Sequence, residues 1–224
     1  MTANAAALAH ADTEVPASRY AAADDAGVLA EIYSHDTNIA VWQRTPGPAL
    51  QAGVEHLIAH KPWFKAALTL SPATARAAID DATQGDLPPQ LAEDIAELVD
   101  MFCYLFDLER AGLRLAVLGG AMCPRFHVDH VPVRLITTYH GVATEWLPHG
   151  AADRSKLGRG SNGLPDSESG LYARDTDIRQ VRCGDVALIK GSAWVGNEAT
   201  GLVHRSPAVP AGQNRLLLTL DVSD

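Results

Sequence analysis

Cysteine is scarce in this chain: Cys103, Cys123 and Cys183 are an odd set with no CxxC pair. That speaks against a disulfide framework and for a reducing compartment. Clusters of Lys and Arg are missing too. The formal charge is −9, from 18 basic and 27 acidic residues, which leaves no electrostatic footprint for nucleic acid phosphates or an anionic membrane. No run approaches the ~18 apolar residues of a membrane span. The N-terminus, MTANAAALAHADTEVPASRY, has no basic start followed by a long apolar core, so it does not read as a secretory signal. No internal repeat is evident. These absences leave a soluble, cytoplasmic protein whose expected partner is a small molecule.

What is present divides into two textures. The Ala-rich stretch 1–24 shows no sustained apolar period and is expected to be a disordered arm. Residues 25–224 read as a single domain, long enough to bury a sizeable core. Its first half, 25–111, is mainly helical. After a short helix near Gly27 and a strand at Asn38–Gln43, Leu50, Val54, Leu57 and Ile58 recur at helical spacing. So do Leu91, Ile95, Leu98, Val99, Phe102 and Phe106, after Pro88 and Pro89. From Gly112 the period becomes that of strands: Leu113–Leu118, Phe126–His130, Val133–His140, Ile178–Arg182, Asp185–Lys190, Leu202–Ser206 and Leu216–Val222. Pro148–Asp177, rich in Gly, Ser, Asp and Pro, reads as a mobile excursion. Helices followed by closely spaced short strands predict an α+β fold, an antiparallel sandwich or jelly roll packed against a helical half.

The chemistry concentrates in Cys123–Leu147. In a strand, residues two apart share a face, so His127 and Asp129 project together. The motif alone says little: with 9 His and 18 Asp, chance supplies such triplets, and His10 and Asp12 form another in the arm. The later copy gains weight from its strand context, from His204 in GLVHRSP, and from Arg215, which opens the last strand. Two imidazoles and a carboxylate on one side of a metal leave positions open, the arrangement of non-haem Fe(II) oxygenases. His56 and His60, four apart on a helix, read as a solvated face. Lys190 is expected to end its strand and reach solvent or a pocket rim.

The series HVDH, RLITTYHGVATEWL, GDVALIKG, GLVHRSP and NRLLLTLD resembles the double-stranded β-helix core of Fe(II)- and 2-oxoglutarate-dependent oxygenases, in particular the prolyl-hydroxylase-like branch. From the Ile39 region onward the chain more closely resembles domain-of-unknown-function family 1826. The oxygenase resemblance implies His127, Asp129 and His204 as metal ligands and as the catalytic centre, with Fe(II) and 2-oxoglutarate as cofactors. It implies that Arg215 holds the distal carboxylate of 2-oxoglutarate, since a guanidinium fork matches a carboxylate; Tyr139 is a candidate to add a hydroxyl. One departure stands out: many relatives carry Ser two residues after that Arg, where this chain has Leu217. Some members of the unknown-function family lie beside metal-handling GTPases in zinc-responsive gene clusters, which implies zinc instead of iron. Cys123 and His130 flank the triad, and a thiolate would favour Zn²⁺. A zinc-binding protein of metal homeostasis, or a zinc-dependent hydrolase, is therefore the alternative, and a non-enzymatic cupin-like binding module a third.

Overall fold

In the computed structural model, which describes residues 19–223, the strand-period segments assemble into two sheets and the helices cover one face of the larger. Ten strands are defined: β1 (Arg19–Ala23), β2 (Thr37–Trp42), β3 (Lys65–Leu70), β4 (Ala111–Leu118), β5 (Val133–His140), β6 (Glu145–Leu147), β7 (Arg179–Gln180), β8 (Val186–Lys190), β9 (Val203–Arg205) and β10 (Arg215–Val222). Seven of them form one sheet in the order β1-β2-β8-β5-β10-β4-β3; the others form a small sheet, β7-β6-β9. All pairings are antiparallel except β1 with β2. The helices are α1 (Pro48–His60), α2 (Ala75–Ala82) and α3 (Pro89–Phe106), with a 3-10 helix at Ala26–Tyr33.

Alternation along the strands assigns the two faces of the large sheet. Leu216, Leu218 and Leu220 of β10 turn to the helices and join Leu98, Val99 and Phe102 of α3 in the main core. Their neighbours Arg215, Leu217, Thr219 and Asp221 face the other way. There the small sheet covers only part of the surface, where Ile39, Val41, Ile136, Ala187 and Ile189 meet Trp146 and Leu202. Towards β3 the same face is open, and Lys65, Ala67, Thr69 and Arg114 are exposed.

The helical layer is locked to the sheet by a largely buried polar triad. Arg44, just past β2, reaches both oxygens of Asp94 on α3, at 2.6 and 2.9 Å, and its Nε donates to the Gly184 carbonyl at 3.0 Å. The Tyr139 hydroxyl donates to Asp94 Oδ2 at 2.5 Å. Burial, reinforced by the Asp94 charge, holds that phenol protonated well above its ordinary range.

Several expectations need correction. Residues 19–23 are not part of an arm: they form β1, paired parallel to β2. Residues 1–18, with His10 and Asp12, lie outside the described residues. Within the mainly helical half, the segment between the two helical repeats is not helix: KAALTL forms β3 on the edge of the sheet, with Ala66, Leu68 and Leu70 alternating against exposed Lys65, Ala67 and Thr69. The excursion 148–177 is packed rather than loose. Leu171 buries against Phe126, Leu147 and Val203, and the Asp166 carboxylate accepts the Phe126 N–H at 2.8 Å. Side-chain to backbone bonds there add to an apolar cluster of the excursion's own residues. Lys190 does not reach solvent: it is 2 % exposed, donates to the Ser34 carbonyl at 2.9 Å and lies under the Trp194 ring. No helix of the described residues is long and apolar enough to cross a membrane.

Removing the Asp94 carboxylate strands a buried guanidinium and a phenol. Asp94→Ala is expected to cost about 3 kcal/mol of stability, against about 1 kcal/mol for Tyr139→Phe. Urea unfolding of the two variants checks this; equal, sub-kilocalorie losses would mean the triad does not hold the layers together.

Candidate metal centre

The centre forms where His127 meets His204. Each donates its backbone N–H to the other's carbonyl, both at 3.0 Å. Residues that exchange both hydrogen bonds in an antiparallel pair stand directly opposite, so their side chains leave on the same face. The full strand expected at Phe126–His130 is reduced to this one bridge, between Pro124 and Pro132, which cannot donate to a ladder. The bridge is nevertheless enough to bring the side chains of His127, Asp129 and His204 to one point.

Asp129 Oδ1 lies 3.3 Å from His127 Nε2, and Oδ2 lies 3.4 Å from His204 Nε2. One ligand atom from each of the three residues falls within 4.8 Å of the others. Both rings are oriented by backbone: His127 Nδ1 is 2.9 Å from the Arg125 carbonyl and His204 Nδ1 is 3.1 Å from the Leu202 carbonyl. A carbonyl only accepts, so each Nδ1 carries its proton and each Nε2 lone pair is left for a cation.

Charge is arranged to match. Burial works against ionising Asp129, but His127 and His204, which donate from Nε2 when protonated and free of metal, and the charge of Arg134 outweigh it, so the carboxyl stays ionised well below the usual range. The same contact with Asp129 raises His127 above an ordinary imidazole. Arg134 Nη1 sits 2.5 Å from Asp129 Oδ2, while its Nε and Nη2 hold Asp221 at 2.6 and 3.0 Å. The ligand carboxylate is thereby braced against the C-terminal strand. Its backbone is braced too, through the Ser192 N–H at 2.9 Å. Gly191 makes that approach possible: a Cβ there would stand 2.1 Å from the Val131 carbonyl oxygen and 2.6 Å from that of Asp129.

Arg215 lies beside the centre, 1 % exposed. Its guanidinium donates to Ser206 Oγ at 2.7 Å, Thr144 Oγ1 at 2.7 Å and Thr138 Oγ1 at 3.1 Å, and its Nε has no partner. Among the described residues no carboxylate pairs with it. Burial without a counter-charge lowers its pKa to about 10, which still leaves it a cation at neutral pH. A cavity of about 70 Å³ joins Arg215, Thr144 and Ser206 to His127 and His204.

The structure therefore brings His127, Asp129, His204 and Arg215 together but leaves out Tyr139. Its hydroxyl lies on Asp94 because odd-numbered residues of β5 face the helices; Thr138, on the opposite face, contacts Arg215 instead. Cys123 and His130 stand outside the ligand cluster, and the His130 ring is engaged with Ser192 Oγ at 3.0 Å. His56 and His60 stack at 4.0 Å on an exposed face, with no third ligand among the described residues. Sequence reading missed Arg134, Gly191 and the three hydroxyls. Arg134 was within reach, since strand alternation sets it on the face of Ile136 and Thr138. The hydroxyls come from separate segments and carry no joint pattern.

A helix-backed sheet presenting a converged His-Asp-His set beside a buried arginine defines a candidate metalloprotein. The chain belongs to the family described as "Protein of unknown function (DUF1826)", whose model matches residues 23–221. No curated protein matches it. Solved structures with partial likeness include a rice dioxygenase for auxin oxidation, at 15 % identity and TM-score 0.45, covering 83 % of this chain and 73 % of that one. A Pseudomonas putida prolyl-4-hydroxylase is 13 % identical with TM-score 0.43, covering 88 % and 96 %. The Arabidopsis thaliana auxin dioxygenase in its 2-oxoglutarate complex is 9 % identical with TM-score 0.46, covering 91 % of each chain. Likeness at this level assigns no activity.

Two outcomes test the geometry. Gly191→Ala is expected to displace Asp129 and weaken divalent metal binding by about tenfold or more, read by cobalt or zinc titration; unchanged affinity would show that the close approach does not position the ligand. Metal affinity should also fall as pH drops from about 8 to about 6. A proton competes with metal for His127 Nε2, and its raised pKa lets that competition begin above the ordinary imidazole range. A flat pH profile would remove His127 from the ligand set.

Proposed function

We propose that the chain is a non-haem Fe(II)- and 2-oxoglutarate-dependent oxygenase, hydroxylating a small-molecule substrate on a double-stranded β-helix. Supporting the fold, the layer β7-β6-β9, extended by the bridge at His127, packs over the β2, β8 and β5 part of the large sheet, as the second sheet of a jelly roll would. The observation that carries the function is Arg215. A buried cation without a carboxylate is costly, and this one sits among hydroxyls with an orphaned Nε, next to three convergent metal-ligand atoms. A dicarboxylate with one end on a metal and the other on the guanidinium answers both features.

In this reading His127 Nε2, His204 Nε2 and Asp129 hold the ion. Arg134 keeps Asp129 ionised and fixed. Arg215, backed by Thr138, Thr144 and Ser206, orients the distal carboxylate, and apolar Ile136 and Leu217 at the cavity wall exclude water. Fe(II) with 2-oxoglutarate, when bound, supplies the oxidation of a substrate C–H bond by O₂. Zinc remains compatible with a His₂-carboxylate set. A thiolate-assisted zinc site loses support with Cys123 outside the cluster, and zinc alone gives no role to an Arg215 without a carboxylate partner.

The test is metal content after purification without chelator, then succinate formation from 2-oxoglutarate after anaerobic Fe(II) loading. Asp129→Ala is expected to abolish turnover with the fold retained. Arg215→Lys, which keeps charge but loses the fork, should weaken 2-oxoglutarate by about tenfold or more. Tightly held zinc with no turnover, or turnover indifferent to Asp129→Ala, would sink the oxygenase reading.

A further inference from the structure

The open part of the large sheet is a groove of about 1100 Å³, floored by β3, β4 and β10 and continuous with the metal centre: Met122, Cys123, Arg134, Leu217 and Thr219 line both it and the inner cavity. Its walls are mostly apolar or backbone, with Trp63 standing 84 % exposed at the rim. The charges are segregated. Although the chain has 27 acidic residues against 18 basic ones, no Asp or Glu lines the groove, while Lys65, Arg114 and Arg134 do.

Arg134 is neutralised by Asp129 and Asp221. Lys65 and Arg114 are not: among the described residues neither has an ion pair or hydrogen bond. Lys65 stands opposite Ala116 and Arg114 opposite Ala67, so the two cations are diagonal neighbours on one face, roughly 7–8 Å apart. Like charges held that close repel, and nothing in the fold compensates them. An anion entering the groove would. Arg114 also lies two strands from β5, whose Arg134 braces the metal ligand. At ~4.8 Å per strand that is about 10 Å.

We propose that the groove binds an organic monoanion with an extended apolar body about 10 Å long. Its carboxylate pairs with Arg114 and Lys65, its body lies over Ala116 and Leu217 beside Trp63, and its far end reaches the metal centre. This names the substrate class for the oxygenase reading and rests on it only for what happens at that far end; binding itself does not need a metal.

Calorimetric titration of the full chain with octanoate, octan-1-ol and acetate tests it. Octanoate is expected to bind at least about tenfold tighter than either, because only it has both the charge and the body. Replacing both cations, Arg114→Gln with Lys65→Gln, should bring octanoate down to the level of octan-1-ol while divalent metal titration stays unchanged; both side chains are exposed, so the fold should tolerate the change. The parent chain should bind octanoate alike after chelator treatment and after loading with a divalent metal. Equal binding of octanoate and octan-1-ol, or octanoate binding indifferent to the double change, would overturn the proposal. So would octanoate binding that requires the metal, which would mean that the carboxylate sits on it. Octanoate binding that persists in a protein without 2-oxoglutarate turnover supports the groove and counts only against the oxygenase reading.

Discussion

Two backbone hydrogen bonds hold this molecule's chemistry in place, those exchanged between His127 and His204. They set side chains from distant parts of the sequence directly opposite one another, and Asp129 follows because it lies one strand repeat from His127. The surroundings serve that contact. Gly191 lets the backbone of Asp129 and Val131 come close, Ser192 holds the Asp129 carbonyl, and Asp166 takes the Phe126 N–H that the shortened strand leaves unpaired. With the ladder reduced to one bridge, the bracing comes from side chains and loops, the excursion 148–177 among them.

β10 shows how one strand serves both stability and chemistry. Its even-numbered leucines enter the helix-facing core, and its odd-numbered residues present Arg215, Leu217, Thr219 and Asp221 to the working face. A one-residue slip would exchange the two sets. The lock of Arg44, Asp94 and Tyr139 works against such a slip, since it ties β5, the neighbour of β10, to α3. The helical half, which carries no recognisable chemistry, thus acts on the site by fixing the register of the strands that build it.

Strand period and helix period made most of this legible. Val133–His140 forms with the predicted bounds, and the apolar repeat from Leu91 to Phe106 is the buried face of α3. The ligand set was legible because His127 and Asp129 are local and His204 opens onto its own strand-like run. What stayed hidden has physical causes. β3 is a six-residue edge strand lying between helical segments, and its alternation, Ala66, Leu68 and Leu70 against Lys65, Ala67 and Thr69, is submerged in a stretch that reads as helical. β6 is three residues long and exists only through its partners β7 and β9. Tyr139 was assigned by its nearness in sequence to the ligands, whereas alternation, visible in the same strand, sends it to the other side. Lys190 read as a surface residue because a lysine is seldom buried; a carbonyl and an indole ring accommodate it here.

Leu217 bears on whether Arg215 can serve a carboxylate at all. Where the resemblance leads one to expect a serine hydroxyl, this chain places an apolar wall, and a hydroxyl there would have shared the ligand's charge. The hydroxyls have instead moved around the guanidinium: Thr138 from β5, Thr144 from the turn before β6 and Ser206 just after β9. They satisfy Nη1 and Nη2 without neutralising them, so the positive charge persists, and burial depresses the pKa without bringing it near neutrality. Arg44 and Arg134, by contrast, each hold a carboxylate partner. The uncompensated charge is what supports the proposed carboxylate ligand: the hydroxyls fix the orientation of Arg215 and leave its charge unmatched among the described residues.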